Sequence, residues 1–149
     1  MIDYVEFDTP EDRRKWFENF DESNVNEVDV ANGWSRLHRA ARIGNFDLTM
    51  RLIEAGADVN LQAAPDMPKP LEQALNSVFL CNDGSLPGAK RVLMLLLESG
   101  AEPESVEVEL GSLYPERQKL VDELLEGFGE KMQLSKTIQE ARKVKTRKI

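Results

Sequence analysis

Apolar and polar positions between Ser35 and Asn60 alternate in two helical patterns separated by a glycine. Leu37, Ala40 and Ala41 share one face of a first helix, and Leu48, Leu52 and Ile53 form the stripe of a second. Ser35 is placed to cap the first helix, because its hydroxyl can accept from an unpaired first-turn N–H. Gly44 lies where a helix ends in a left-handed residue. Asp47 is expected to start the second helix and Gly56 to end it, with Ala57-Asp58-Val59-Asn60 carrying the chain out.

The same grammar recurs on both sides. Thr9-Pro10-Glu11 combines a capping hydroxyl, a proline at the first helical position and an acid near the positive end of the dipole. With Trp16, Phe17 and Phe20 it predicts a helix from Pro10 to about Phe20. Asn24-Val25-Asn26 echoes Asp58-Val59-Asn60: Val25 to Val59 counts 34 residues, and so does Leu37 to Leu71. Such a period marks repeat architectures. Asn32-Gly33 signals a hairpin turn. Pro65 and Pro68 predict a stiff loop with little pairing over 61–68. Lys69-Pro70-Leu71 opens a further helix. Val92, Leu93, Leu95, Leu96 and Leu97 mark its companion, closed by Ser99-Gly100-Ala101. Gly56 to Gly100 counts 44, so ten extra residues fall in 79–88, rich in Gly, Asn, Asp and Pro, and read as an inserted loop. A short helix is expected over Ser105–Leu110. A longer one runs over Pro115–Phe128, striped by Leu120, Val121, Leu124 and Leu125 and ended by Gly127 and Gly129. In the tail from Lys131, Leu134, Ile138 and Ala141 fall at helical spacing, predicting a helix at least to Lys143.

The stretch from Ser35 closely resembles an ankyrin repeat, whose family pattern is roughly T-P-L-H-x-A-A-x-x-G-…-L-L-x-x-G-A-D-V-N. Ser35, Leu37, His38, Ala40, Ala41, Gly44, Leu52, Ile53, Gly56, Ala57, Asp58, Val59 and Asn60 match, and Arg36 stands at the usual proline position. Pro70 and Leu71 match again, but Lys69 and Glu72 replace the hydroxyl and the histidine. The resemblance implies an all-α solenoid of stacked helix pairs with short finger loops, about four units including caps. Residues 1–26 would be an N-terminal cap keeping the second helix and exit turn of a repeat. Residues 27–60 would be one repeat, 61–103 a second with the inserted loop 79–88, 104–130 a C-terminal cap and 131–149 a basic tail.

The 149 residues are enough for one domain, 41% are hydrophobic, and no apolar run approaches a membrane span. The start, M-I-D-Y-V-E-F-D, has neither a basic end nor an apolar core, so no export signal is expected. With one cysteine, Cys81, no disulfide forms within the chain, and cytoplasmic residence is the default. Net charge is −8, unevenly spread. Residues 131–149 hold seven Lys/Arg against Glu140, a local +6 that leaves −14 on residues 1–130. The acidic body reads either as a well-solvated surface or as a field that steers a basic partner, and it argues against phosphate contacts by the body.

Little in the chain can carry chemistry. His38 is the lone histidine and in the resemblance ties a helix start to the neighbouring turn. Cys81 has no partner base in sequence. No metal motif, phosphate loop or nucleophile elbow occurs, so no catalytic, cofactor or metal residue is assigned and no small-molecule substrate is expected. Binding of another protein is the expected role. By position in the family, the fingers would present Asn32, Trp34, Asp66 and Met67 to a concave surface. The first helices would add Arg36, Arg39, Arg42, Gln73 and Asn76, and the inserted loop Asn82 and Asp83. Trp34 is the sharpest candidate and reads equally as an interface anchor or as packing under the finger. Arg36, Arg39 and Arg42 read either as a basic ridge or as self-pairing with Glu27, Asp29 or Glu72. Short arrays of this kind suit stoichiometric inhibitors, immunity-type proteins and adaptors, with a basic toxin or enzyme as target. The alternative is nucleic-acid association through the basic tail alone.

Overall fold

A computed structural model describes residues 2–103 and 113–147; within its last helix the side chains of 134–136 and 138–147 are not described. The elements run β1 (Tyr4–Val5), α1 (Pro10–Glu18), β2 (Val28–Asp29), β3 (Trp34–Ser35), α2 (Arg36–Ile43), α3 (Phe46–Glu54), α4 (Pro70–Leu80), α5 (Leu86–Glu98) and α6 (Pro115–Arg147). Helix α2 packs on α3 and α4 on α5 within layers, and α2 on α4 and α3 on α5 between them, with α6 against α4 and α5. Leu37 and Leu71 occupy equivalent slots, each the second residue of its helix and each buried. The core is one continuous cluster from Phe17 in α1 to Val121 in α6. The stack therefore has four layers, with α1 and α6 at its ends.

The local signals around α2 act as the sequence suggests. Ser35 Oγ accepts from His38 N and the His38 side chain accepts from Ser35 N, a closed capping box. Gly44 ends α2 in the left-handed region at φ 69°. The start of α3 differs from expectation. Asn45, not Asp47, is its cap, accepting from Leu48 N at 3.1 Å. An N-cap must be extended, and the residue after left-handed Gly44 is the one that is; Asp47 lies in the first turn. Lys69 makes no side-chain cap bond to α4. Helix α1 stops at Glu18, two residues early, because extended Asn19 turns its carbonyl toward Arg36 Nη2.

The layers are stitched through asparagine. Asn26 donates to Gly56 O and accepts from Asp58 N; Asn60 donates to Gly100 O and accepts from Glu102 N. The echo between residues 24–26 and 58–60 is thus one device used twice, each amide satisfying the next layer's exit turn.

The helices carry one addition, and two further expectations are corrected. A small sheet of order β1-β2-β3 joins the helices: β2 and β3 form the antiparallel finger around Gly33, and β1 adds a parallel strand. The ten extra residues are not one loop. Helix α4 is three residues longer than α2, α5 is four longer than α3, and only Cys81–Ser85 connects them. Phe79 continues the buried stripe of α4, and Pro87 falls in the first turn of α5, where a missing N–H costs nothing. Finally, Gly127 and Gly129 end nothing. Helix α6 runs unbroken for 33 residues, about 50 Å at 1.5 Å per residue, and neither glycine has a positive φ. The helix expected over Ser105–Leu110 lies outside the described residues.

Candidate protein-binding face

The exposed side of the first helices is narrow. In α2 it consists of Arg39, Arg42 and Ile43; in α4 it is Glu72, Asn76 and Leu80 at spacings of four. Everything else on these helices is buried. Ile43 and Leu80 stand 56% and 44% exposed, two apolar side chains that the family pattern alone did not single out. Val30 on the first finger and Tyr4 on β1 are also exposed.

Two expected surface residues are not at the surface. Arg36 is buried to 1% exposure. Its guanidinium donates to the carbonyls of Trp16 at 2.7 Å, Asn24 at 2.6 Å and Asn19 at 3.2 Å. It reaches Glu27 Oε1 at 3.5 Å and lies 4.3 Å over the Trp16 ring. Glu27 Oε1 also accepts from Trp16 Nε1. Burial pulls the guanidinium below its usual value, and the Glu27 carboxylate opposes that pull. Arg36 is thus the pin that holds the N-terminal layer to α2. The self-pairing alternative for this arginine is the one found. Gln73 is buried as well, because α4 is flanked by α2, α5 and α6; Glu72 takes the outward position.

The other candidates divide by how much they are engaged. Arg39 stacks 5.1 Å over Phe17. Arg42 is half-buried and Asn76 likewise. On the first finger, exposed Asn32 accepts from Trp34 N at 3.0 Å, and Trp34 itself is half-exposed. Asp29 fixes the finger base, accepting from Arg13 Nε at 2.6 Å and Ala31 N at 3.0 Å. The second finger has no strand; Gln62 Nε2 staples it by donating to Met67 O and Pro65 O. Met67 Cε fills the space where a Cβ on Gly33 would sit, so the fingers touch and Met67 is partly spent on that contact. Asp66 is exposed. Asn82 accepts from Ser85 N, and Asp83 pairs with Arg117 at 2.9 Å, away from the first finger.

His38 is fully buried. Its Nε2 lies 2.7 Å from Pro68 O, which can only accept, so Nε2 carries the proton and Nδ1 accepts from Ser35 N. Burial pushes the imidazole down to about 4, against the pull of the Pro68 carbonyl. Arg117 Nη1 approaches Cys81 Sγ at 3.5 Å but donates to Val78 O at 2.6 Å, a helix-end contact. Among the described residues no group of three or more His, Cys, Asp or Glu could hold a metal ion, and no helix is long and apolar enough to cross a membrane.

No curated protein and no solved structure matches the chain. The ankyrin repeat family model matches residues 32–64, from the first finger through α2 and α3 into the second. That span contains the capping box, the left-handed Gly44 and the Asn60 clamp, and α4–α5 stacks on it as the next layer with longer helices and no side-chain cap. Ankyrin repeats generally mediate protein–protein interaction and are typically non-enzymatic. Residues 32–64 of the chain are thus similar to a single ankyrin repeat.

Proposed function

We propose that the protein is a small non-catalytic binding protein that engages another protein through the exposed stripes of α2 and α4 and the two fingers. The observation that carries this is the exposure of Ile43 and Leu80 on those adjacent helices, which also carry half-buried Arg42 and Asn76, with half-exposed Trp34 on the first finger. Exposed apolar groups sharing helices with polar ones suit an interface that is desolvated on binding. A stoichiometric inhibitor, an immunity-type protein or an adaptor fits an array of this size, and the −14 on residues 1–130 favours a basic target. Affinity capture from the native host with Trp34→Ala and Arg42→Glu tests the proposal. Loss of the captured partner in both variants, with unchanged folding, supports it; capture equal to the parent removes this face from consideration.

One observation favours a second role. The basic residues from Lys131 to Arg147 lie on one continuous helix, which can present clustered charge to phosphates. A low-salt DNA shift that is lost when the chain is stopped at Glu130 supports it, and an unchanged shift removes it.

A further inference from the structure

We propose that the opposite side of the stack is a second docking surface, built for an amphipathic helix of a partner protein that carries carboxylates beside its apolar stripe. Helix α5 lies between α3 and α6 and forms the floor of a groove of about 550 Å³. Phe46 and Met50 of α3 line one side, Leu124 of α6 the other, and Met94 rises from the floor. Met50 is 36% exposed. The groove is open along its length, which suits one face of a helix rather than an enclosed small molecule. Flexible thioethers let such a surface repack around its guest.

Charge selects the guest. Lys90 and Arg91 line the same groove. Neither is in an ion pair among the described residues. Arg91 is held by stacking 3.9 Å over Phe46, leaving its N–H edge available. The one carboxylate in the groove, Glu98, is already paired with Lys131 at 2.9 Å. The uncompensated charge is therefore positive, on a body whose residues 1–130 carry −14. A basic end on an acidic protein attracts carboxylates locally while the rest of the surface repels them, which fixes the direction in which the guest helix lies. This surface is built from α3, α5 and α6, so it is separate from the α2–α4 face and the two can be occupied together.

The test uses two amphipathic helical peptides with the same leucine stripe, one flanked by Glu and one by Lys, measured by fluorescence polarisation. The Glu peptide is expected to bind at least about tenfold more tightly at low salt, with the difference shrinking as salt rises. The double variant Lys90→Glu, Arg91→Glu should invert the preference. Met50→Glu should weaken both peptides, and Trp34→Ala should change neither. Equal binding of the two peptides, no binding of either, or an unchanged order in the double variant overturns the proposal. So does a concentration-dependent dimer in light scattering that Met50→Glu abolishes, since the guest would then be a second copy of this chain.

Discussion

His38 gives the protein a calculable acid sensitivity. Its imidazole is buried without a carboxylate partner, and burial lowers it from 6.5 to about 4. In the unfolded chain it regains the ordinary value. Between those limits the unfolded form binds more protons, so stability rises with pH across the window. The contribution is fully present above 6.5, falls as pH drops, and levels off below about 4. Each tenfold loss of proton affinity on folding is worth about 1.4 kcal/mol. The whole effect is therefore about 3 kcal/mol, of which about 2 kcal/mol is lost between pH 7.5 and pH 5. Carboxylates titrate in the lower part of the same range, so the comparison must be made against a variant. In His38→Gln an amide can still donate to Pro68 O and accept from Ser35 N. Urea unfolding of both proteins at about pH 5, 6, 7 and 7.5 gives two curves. The deficit of the variant should narrow by about 2 kcal/mol on going from pH 7.5 to 5. As the only histidine, His38 can also be followed by proton NMR without assignment. Parallel stability curves, or a ring that titrates near its unperturbed value, would refute the reasoning.

Arg36→Met should cost about 3–5 kcal/mol, since it leaves Glu27 and three carbonyls without their buried partner. Hydrogen exchange should show the loss first in residues 10–26, ahead of α2–α5. Arg36→Pro restores the family's usual residue at the first position of α2 and should uncouple the same segment without breaking the helix; protection of α2 that falls with it would contradict the pin. Asn60→Ala should destabilise by about 1–2 kcal/mol in urea unfolding, because Gly100 O and Glu102 N lose one shared clamp. Gly127→Ala and Gly129→Ala should each stabilise by up to about 1 kcal/mol and raise helicity, as nothing lies within 4 Å of an added Cβ; a loss of stability would mean that a left-handed helix end is needed there.

The parts of the fold legible in the chain are those specified by neighbours in sequence. Ser35, His38 and Gly44 set the limits of α2 within ten residues. Leu37 and Leu71 announce their shared slot by spacing alone. What the chain hides is direction and partnership. Arg36, Arg39 and Arg42 read as one ridge, yet a step of three residues turns a helix by about 300°, so the row drifts about 60° each time and its ends lie about 120° apart. That drift carries Arg36 under α1 and leaves Arg42 outside. Gln73 lies one place off the 72–76–80 line and is buried by neighbours that arrive from far along the chain. Gly127 and Gly129 carry a local signal compatible with a helix end or a weak helix interior, and contacts of Val121, Leu125 and Phe128 with the body decide for the interior. The exposed Ile43 and Leu80 had an available signal: apolar residues off the core stripe, at the last turn of each first helix.

Both ends of a repeat stack expose an apolar side, and each must be closed by something that is not a further repeat. Here the two closures are physically different. At the N-terminal end a short helix and the residues just after it bring Trp16, Phe17 and Phe20, and a buried cation gathers carbonyls around itself to hold them. That closure depends on hydrogen bonds and stacking around one residue, so a single substitution can open it. At the C-terminal end α6 lays Leu120, Val121, Leu124, Leu125 and Phe128 along the last layer, distributing the same task over several contacts of about 1.5–3 kcal/mol each when fully buried. Losing one of them costs little by comparison. The second solution also has a geometric by-product. One long helix set beside α5, where a repeat would have placed a pair, leaves α5 recessed between α3 and α6. The groove on that side is therefore a consequence of how the stack is finished, and shortening α6 before Leu124 should remove the groove wall while leaving the α2–α4 face intact.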